Sequence, residues 1–323
     1  MINEKNVEYT YDENLARNLI IINGNARCGK SMITPIISSL ERVENLKLLY
    51  FFDHILVGMF LGSIDEMYAK ALMRVSLNEV VYFNRIGRNA NFRPDDESSI
   101  FNYKEPKKYY KRLFIKDGEE VIEKLRREDN YFLLRTHNTL ANLELLDKLE
   151  IPYRMLQLFR HPVDNIYSWY KRGWGERVGN DPRTFTITTD FKGTRVPWYC
   201  VGFEEEWLNL NPYERSVRDV SFLIKRSVEQ YRKLISKKNI HIITFEEFAQ
   251  NPHDELKKIC EFLNTTTSLY TPVFMEKERV PRVIDPSERE RKLLELKQNV
   301  NMEIYSQLNE LSGLYESNLY GLR

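Results

Sequence analysis

Residues 19–31 read LIIINGNARCGKS, an apolar run followed directly by the pattern G-x-x-x-x-G-K-S. A buried strand, this pattern and then a helix are typical of loops that bind phosphate groups. Gly24 and Gly29 allow the backbone to turn tightly and to approach an anion closely. A helix that begins near Ser31 would direct its free N–H groups at the same anion. The stretch therefore predicts an anion site at the end of the first strand.

We expect the whole loop from residue 24 to residue 31 to contact a nucleotide. Arg27, Lys30 and Ser31 add side-chain donors to the backbone N–H groups, and a Cys28 thiolate would be favoured by the local field, although a spectator role fits this thiol better. The predicted nucleotide-binding residues of the loop are Gly24, Asn25, Ala26, Arg27, Cys28, Gly29, Lys30 and Ser31.

Outward from this loop, the chain alternates short apolar runs with helical patterns. The predicted strands are 19–23, 47–52, 131–135, 153–159 and 240–245. The predicted helices are 32–43, 119–127, 140–149, 162–172, 216–236 and 252–263. This alternation predicts an α/β fold of three layers, a P-loop-type domain with a central parallel β-sheet flanked by helices, plus helical inserts. In such sheets ligands bind beyond the carboxyl ends of the strands.

Length and inserts define the expected organisation. A chain of 323 residues fits one large domain or two, and we expect a single domain over 1–323. Two stretches interrupt the alternation: 54–118, helical and then polar and aromatic, and 173–212, rich in Gly, Pro and Trp and predicted to be irregular loop. Inserts of this kind usually carry substrate specificity. Residues 276–323 are expected to form a basic loop and a C-terminal helix. The basic residues lie over 276–292, and the helical spacing of apolar residues lies over 287–318.

The charge balance, the cysteine count and the length of the apolar runs exclude some classes of protein. The chain has 48 basic and 47 acidic residues, a balance that does not fit a general nucleic-acid binder. Three cysteines give no disulfide framework and fit a reducing, cytoplasmic environment. The N-terminus lacks a signal pattern, and the apolar runs fall far short of the ~20 residues of a membrane span. We therefore predict a cytoplasmic protein with no membrane span and no nucleic-acid partner.

The fourth predicted strand ends in a second candidate anion site. It is followed by RHPVDNIYSWY, residues 160–170, in which Arg160 leaves the strand and Ser168 lies eight positions later. Pro162 and Asp164 suit the first turn of a helix. A guanidinium is a planar fork that fits phosphate, whereas an ATPase usually has an Asp at such a strand end to hold Mg²⁺.

Together, GNARCGKS and FRHPVDNIYSWY resemble the two nucleotide motifs of the sulfotransferase superfamily, whose members use 3′-phosphoadenosine-5′-phosphosulfate (PAPS). The segment 239–264 is similar to the late strand and helix of that family, and the resemblance covers about half of the chain. It implies that the first loop holds the 5′-phosphosulfate and that Arg160 and Ser168 hold the 3′-phosphate. It also implies that a late basic loop, through Arg279 or Arg282, closes over the 3′-phosphate.

Lys30 departs from the family pattern, which usually has Thr or Ser at this position. A lysine here either adds a cation at the bridging oxygens of PAPS or indicates a P-loop small-molecule kinase that uses ATP and Mg²⁺. The Arg160 and Ser168 pair favours PAPS, because ATP carries no 3′-phosphate. A nucleotide-binding partner protein that has lost the chemistry is a third alternative.

Sulfuryl transfer to a hydroxyl also needs a base. The third predicted strand ends in LLRTHNTL, and His137 resembles the histidine of the family's K-T-H motif, which takes the acceptor's proton. An ordinary imidazole pKa near 6.5 suits this role. Asp53 and His54, after the second predicted strand, are alternative bases, and Glu66 is a weaker one. For Asp53 a helix cap is an equally good interpretation.

The predicted reaction is in-line transfer of a sulfuryl group from PAPS to a hydroxyl or amine. We expect His137, Arg27 and Lys30 to be catalytic, with Asp53, His54 and Trp174 on the acceptor side. Further rings that could line an acceptor pocket are Trp169, Tyr170 and Trp198. The acceptor is expected to be a small molecule, a saccharide or a lipid. No His, Cys, Asp and Glu spacing suits zinc, so no metal is expected.

Overall fold

The computed structural model describes residues 8–45, 49–234 and 238–322. Five parallel strands in the order β2-β3-β1-β4-β7 form its main sheet, and β5 and β6 form a separate antiparallel pair. The strands in these residues are β1 (Leu19–Asn23), β2 (Val43–Asn45), β3 (Tyr131–Arg135), β4 (Tyr153–Phe159), β5 (Thr188–Phe191), β6 (Thr194–Pro197) and β7 (Ile240–Thr244).

Helices cover both faces of the sheet. Within the described ranges they are α1 (Lys30–Ser38), α2 (Tyr50–Phe60), α3 (Glu66–Arg85), α4 (Pro106–Arg112), α5 (Glu119–Arg127), α6 (Leu143–Lys148), α7 (Pro162–Lys171), α8 (Trp174–Arg177), α9 (Glu204–Asn209), α10 (Pro212–Lys233), α11 (Phe245–Gln250), α12 (Pro252–Leu263), α13 (Thr271–Lys277), α14 (Pro286–Asn299) and α15 (Met302–Asn318). None of the helices in these ranges is long and apolar enough to cross a membrane.

The strand β1 shows why the layers form. Leu19 and Ile21 belong to one buried apolar cluster, whereas Ile20 and Ile22 belong to the other. Successive side chains of a strand point to opposite faces, so a continuous apolar run buries both faces of the sheet. The three-layer α/β prediction with a central parallel sheet is therefore confirmed.

The prediction of a second strand over 47–52 is wrong for the residues of this range that the structure describes. Residues 50–52 lie in α2, and residues 47 and 48 lie outside the described residues. The edge strand is instead Val43–Asn45, which also shows that the predicted helix 32–43 extends too far, because α1 ends at Ser38. A short apolar run does not distinguish a buried helix from a strand, and the real strand has no apolar run. Its Glu44 is buried, and both of its carboxylate oxygens accept from Arg112 Nη2, at 2.7 and 2.8 Å.

The inserts contain more regular structure than their composition indicates. The stretch 173–212, predicted to be irregular, contains α8, the β5–β6 hairpin and α9. The tail predicted over 287–318 is two helices, because the Asn301 side chain accepts a hydrogen bond from the Ile304 N–H and starts a new one. The loop expected over 276–292 is limited to 278–285 between α13 and α14. The predicted helix 216–236 begins earlier, at Pro212, and its residues 235 and 236 lie outside the described ranges.

Candidate active site

The loop between β1 and α1, called here the 24–31 loop, requires both of its glycines. Gly24 has φ 149° and Gly29 has φ 108°, values that side chains rarely adopt. A Cβ on Gly24 would lie 2.4 Å from the Leu158 carbonyl oxygen, and a Cβ on Gly29 would lie 2.3 Å from the Phe245 ring. The loop therefore depends on close backbone approach to its neighbours.

Lys30 is buried within the 24–31 loop. Its ammonium donates to the Asn25 carbonyl at 2.9 Å and to the Gly24 carbonyl, and it lies 3.8 Å from the Cys28 sulfur. Burial is the main cause that lowers the pKa of Lys30. The predicted contact of Lys30 with the bridging oxygen of a donor therefore requires the ammonium to leave these carbonyls. Ser31, the next residue, lines the cleft described below.

The ends of the adjacent strands β1 and β4 bring together Arg27, Arg160 and Ser168. Arg27 Nε donates to Ser168 Oγ at 2.9 Å, and Arg160 Nη1 donates to the Arg27 carbonyl at 3.1 Å. The guanidinium of Arg160 also lies over the Phe245 ring, 4.6 Å from its centroid. Burial, followed by the positive charges of Arg172 and Arg160, lowers the pKa of Arg27. Such clustered guanidiniums suit an anion.

A cleft of about 510 Å³ joins the 24–31 loop to this arginine cluster. Arg282 reaches it, with its guanidinium 5.3 Å from the Phe245 ring centroid, and burial followed by the Arg160 charge lowers the pKa of Arg282. Arg279, the alternative in the sequence, is exposed and is not among the cleft residues. The residues lining the cleft are Ala26, Arg27, Gly29, Lys30, Ser31, Met32, Tyr50, Arg135, His137, Arg160, Arg172, Trp174, Phe245, Glu278 and Arg282.

Helix α7 connects the arginine cluster to the rest of the site. Asn165 Nδ2 donates to the Ala26 carbonyl at 2.7 Å, which ties the helix to the 24–31 loop. Asp164 is paired with Lys292 at 2.6 Å and with Arg289 at 2.9 Å, which ties the helix to α14. The helix ends directly before Arg172, a residue that lines the cleft. The sequence indicated the start of α7 but not these anchors.

Asp53 orders the turn that follows β3. Its carboxylate accepts from the His137 N–H at 2.8 Å, from the Asn138 N–H at 3.2 Å and from the Thr139 hydroxyl at 3.1 Å. Burial by itself raises the pKa of Asp53, but the hydrogen bonds and charge of His137, with the Asn138 bond, outweigh it and lower the pKa. Asp53 is therefore well suited to position His137 and poorly suited to take a proton itself.

His137 is neutral at physiological pH in this arrangement. Burial first, and the Lys30 charge second, lower the pKa of His137 to about 4, although Asp53 acts in the opposite direction. The imidazole Nδ1 lies 3.8 Å from Asp53 Oδ2, and the side chain keeps 21% of its surface exposed. The expected pKa near 6.5 is therefore wrong for the ligand-free protein: the imidazole is in the neutral form that accepts a proton and has a partly open face, but it is a weaker base than an ordinary histidine.

We expect His137 to titrate near pH 4 in the ligand-free protein, well below an ordinary histidine. The folded state then binds fewer protons than the unfolded chain between about pH 4 and 6.5, so the contribution of His137 to stability rises with pH in that window. NMR of ring-labelled histidine across pH 3.5–8 measures this pKa directly. Lys30→Met removes the second cause and should raise the pKa of His137. An apparent pKa at or above 6.5 in the wild-type protein would contradict the assignment.

A second cavity of about 160 Å³ lies on the other side of His137, and we call it the ring pocket. Its aromatic walls include Tyr50, whose ring is parallel to that of His137 at 6.0 Å, and Phe185, whose carbonyl lies 2.8 Å from His54 Nε2. The residues lining it are Ala26, Tyr50, Asp53, His54, Val57, His137, Asn138, Trp169, Arg172, Trp174, Arg177, Arg183, Thr184, Phe185, Thr186, Ile187, Trp198 and Tyr199.

The two cavities share one wall. Tyr50, His137, Arg172 and Trp174 line both the cleft and the ring pocket, as does Ala26. Two of the sequence candidates are placed elsewhere. Tyr170 stacks on Tyr213 at 3.6 Å and lines neither cavity, and Glu66 pairs with Lys148 at 3.8 Å.

The sequence missed several residues of the site. Tyr50 was assigned to a strand, and Phe185, Arg177 and Arg183 lie in an insert without apolar periodicity. Phe245 was assigned to the last strand, yet its ring supports both Arg160 and Arg282. Aromatic and basic residues interleaved over 169–199 were the available signal. Among the residues described, no group of three or more His, Cys, Asp and Glu side chains could hold a metal ion.

Comparison with known proteins gives one family. The model of the family described as "Sulfotransferase domain" matches residues 18–288. Solved structures to which this chain is similar include the sulfotransferase domain of the Synechococcus PCC 7002 olefin synthase, which is 12% identical over 95% of this chain and 98% of that chain, with a TM-score of 0.47. The sulfotransferase domain from the curacin biosynthetic pathway is 13% identical over 87% and 97%, with a TM-score of 0.45.

Mouse sulfotransferase SULT7A1 complexed with PAP is 11% identical over 95% of this chain and 86% of that chain, with a TM-score of 0.39. No curated protein matches the sequence.

Proposed function

This chain belongs to the sulfotransferase family, and we propose that its sulfuryl donor is PAPS and that its acceptor presents a hydroxyl or an amine. The observation that carries the proposal is the cleft that joins the 24–31 loop to the arginines that follow β4 and α13. The 24–31 loop, with Arg27, forms one part of its lining, and Arg160 and Arg282 form another, while Ser168 lies beside the cleft and is bonded to Arg27. A donor with a 5′-phosphosulfate and a 3′-phosphate has two anionic ends that match this arrangement.

In the proposed reaction the acceptor oxygen or nitrogen attacks the sulfur in line. The new bond to sulfur forms while the bond from sulfur to the phosphate oxygen breaks, and 3′,5′-ADP leaves. His137 takes the proton of the acceptor hydroxyl. Arg27, together with Lys30 once its ammonium has turned away from the Gly24 and Asn25 carbonyls, stabilises the charge that develops on the leaving phosphate. The shared wall of the two cavities is where donor and acceptor would meet, which supports His137 as the base rather than Asp53.

Beyond the donor, we propose that residues 1–323 form one domain, because both apolar clusters pack on the same sheet. We assign substrate specificity to the inserts 54–118 and 173–212, which contribute most of the ring pocket. The acceptor is a small molecule, a saccharide or a lipid. A cytoplasmic location fits the three free cysteines, Cys28, Cys200 and Cys260.

Calorimetry with matched nucleotides tests the donor. We expect 3′,5′-ADP to bind in EDTA at least about ten-fold more tightly than 5′-ADP, which has the same number of phosphate groups but no 3′-phosphate, because a charge-assisted contact is worth about 1.5–3 kcal/mol. A requirement for Mg²⁺ and tighter binding of ATP would instead support a small-molecule kinase, which the G-K-S pattern around Lys30 keeps as the alternative. Tight 3′,5′-ADP binding without sulfuryl transfer in a broad acceptor screen would identify a non-catalytic nucleotide-binding protein.

A further inference from the structure

The volume of the ring pocket limits what enters it. At about 160 Å³ it is close to the ~150 Å³ of an engineered apolar cavity that binds benzene, so it has room for one six-membered ring. A fused-ring system or a second sugar unit would have to extend out of the ring pocket.

The walls of the ring pocket favour a planar ring. Tyr50 lies parallel to His137 with an interplanar angle of 10°, and Phe185 lies 4.9 Å from Tyr50. Trp169 and Trp174 meet edge to face at 4.6 Å. Aromatic rings pack well against faces and edges of this kind.

Three guanidiniums line the same pocket. Arg177 and Arg183 share the carboxylate of Asp181, at 2.9 and 2.8 Å, and the Arg183 bond is the main cause that lowers the pKa of Asp181. Arg172 has no ion pair with an acidic side chain among the described residues. Three positive charges less one negative charge leave a net charge of two at this wall.

Little in the pocket offsets that charge. Among its described lining residues the acidic side chain is Asp53, which accepts three hydrogen bonds from the turn after β3 and whose single negative charge leaves a net positive charge in the pocket. A neutral or cationic ligand would leave Arg172, and the remaining charge of the Arg177 and Arg183 pair, without an anionic partner, whereas an anionic group would pair with these arginines.

We infer that the acceptor is a phenol-sized ring that carries a hydroxyl and an anionic group, an inference that rests on the proposed PAPS-dependent function. The hydroxyl faces His137, and the anionic group faces Arg172, Arg177 and Arg183. In the reaction the O–H bond breaks and its proton passes to His137, the O–S bond forms, and 3′,5′-ADP leaves. The product is a sulfate ester that retains the anionic group.

Three para-substituted phenols of similar size and shape, each assayed for kcat/KM at saturating PAPS, test the inference. They are 4-hydroxyphenylacetate, its neutral analogue 4-hydroxyphenylacetamide, and the cationic tyramine. We expect kcat/KM for the acid to exceed that of the amide by about ten-fold or more, which corresponds to one charge-assisted contact, with tyramine lower still. Equal use of the acid and the amide would overturn the inference.

Two matched arginine variants test whether the preference for the acid over the amide comes from the wall formed by Arg172, Arg177 and Arg183. Arg183→Gln, at a residue whose side chain is 79% exposed and outside the cleft, should reduce the acid-to-amide ratio several-fold and leave the affinity for 3′,5′-ADP unchanged. Arg195→Gln, an exposed arginine of the same insert that lines neither cavity, should leave the ratio at its wild-type value. A ratio that is the same in both variants would overturn the role of this wall.

The two proposals fail differently. Tight 3′,5′-ADP binding together with no transfer to any of the three phenols would overturn the acceptor inference and leave the donor assignment intact. Absence of 3′,5′-ADP binding would refute the proposed function, and the acceptor inference with it.

Discussion

Replacing His137 with alanine is expected to lower the rate of sulfuryl transfer by about 10²- to 10⁴-fold, the usual contribution of a general base. His137 lies in the wall shared by the cleft and the ring pocket, and its depressed pKa keeps it neutral and able to accept a proton. The hydrogen bond from its backbone N–H to Asp53 does not involve the side chain, so the turn after β3 should persist in the variant. Single-turnover measurements with saturating PAPS isolate the chemical step.

The affinity of the His137→Ala variant for 3′,5′-ADP should remain within about two-fold of wild type, because the predicted phosphate contacts come from other residues. His253→Ala is the matched control, since His253 is exposed at the start of α12 and lines neither cavity. Turnover near the wild-type level in a His137→Ala protein of unchanged Tm would show that another group takes the proton.

Arg160→Ala should weaken the binding of 3′,5′-ADP by about 10- to 100-fold, because a charge-assisted contact of about 1.5–3 kcal/mol is lost. The same substitution should weaken the binding of 5′-AMP, which lacks the 3′-phosphate, by no more than about two-fold. The guanidinium is placed for this contact by its bond to the Arg27 carbonyl and by the Phe245 ring beneath it. Titration calorimetry of 3′,5′-ADP and 5′-AMP, each against the wild type and Arg160→Ala, gives the four affinities of a thermodynamic cycle.

Arg93→Ala is a suitable control for Arg160→Ala, because the Arg93 side chain is 78% exposed and lines neither cavity. This control should bind both nucleotides as the wild type does. If Arg160→Ala weakened 3′,5′-ADP and 5′-AMP by the same factor, Arg160 would contribute general electrostatic attraction and would not recognise the 3′-phosphate.

Where an apolar run ends at turn residues, the sequence predicted the fold closely. The strands 19–23, 131–135 and 153–159 have the predicted bounds, as do the helices 119–127 and 252–263. Their pattern is local, since each run buries both faces of a strand or one face of a helix. The candidate residues after β1, β3 and β4 are brought together for the same reason, because parallel strands end at one edge of the sheet.

The parts that the sequence did not predict depend on contacts between distant residues. The edge strand Val43–Asn45 is short, and its buried Glu44 is stabilised by Arg112, far along the chain. The wall of the ring pocket depends on the bond of His54 to the Phe185 carbonyl, which lies far along the chain. Side-chain pairs of this kind have no periodic signature, so composition indicated an insert but not its shape.

Helix α7 gives the molecule a property that neither cavity has alone. Arg160 precedes its first turn, Trp169 lies in its last turn, and Arg172 follows its end, so one short helix borders both the cleft and the ring pocket. A displacement of this helix changes both sites at once, so the two binding equilibria are linked. Linkage is reciprocal, and the factor by which one substrate changes the affinity for the other must be the same in both directions. Cooperativity between the two substrates is therefore an expected consequence of this shared helix.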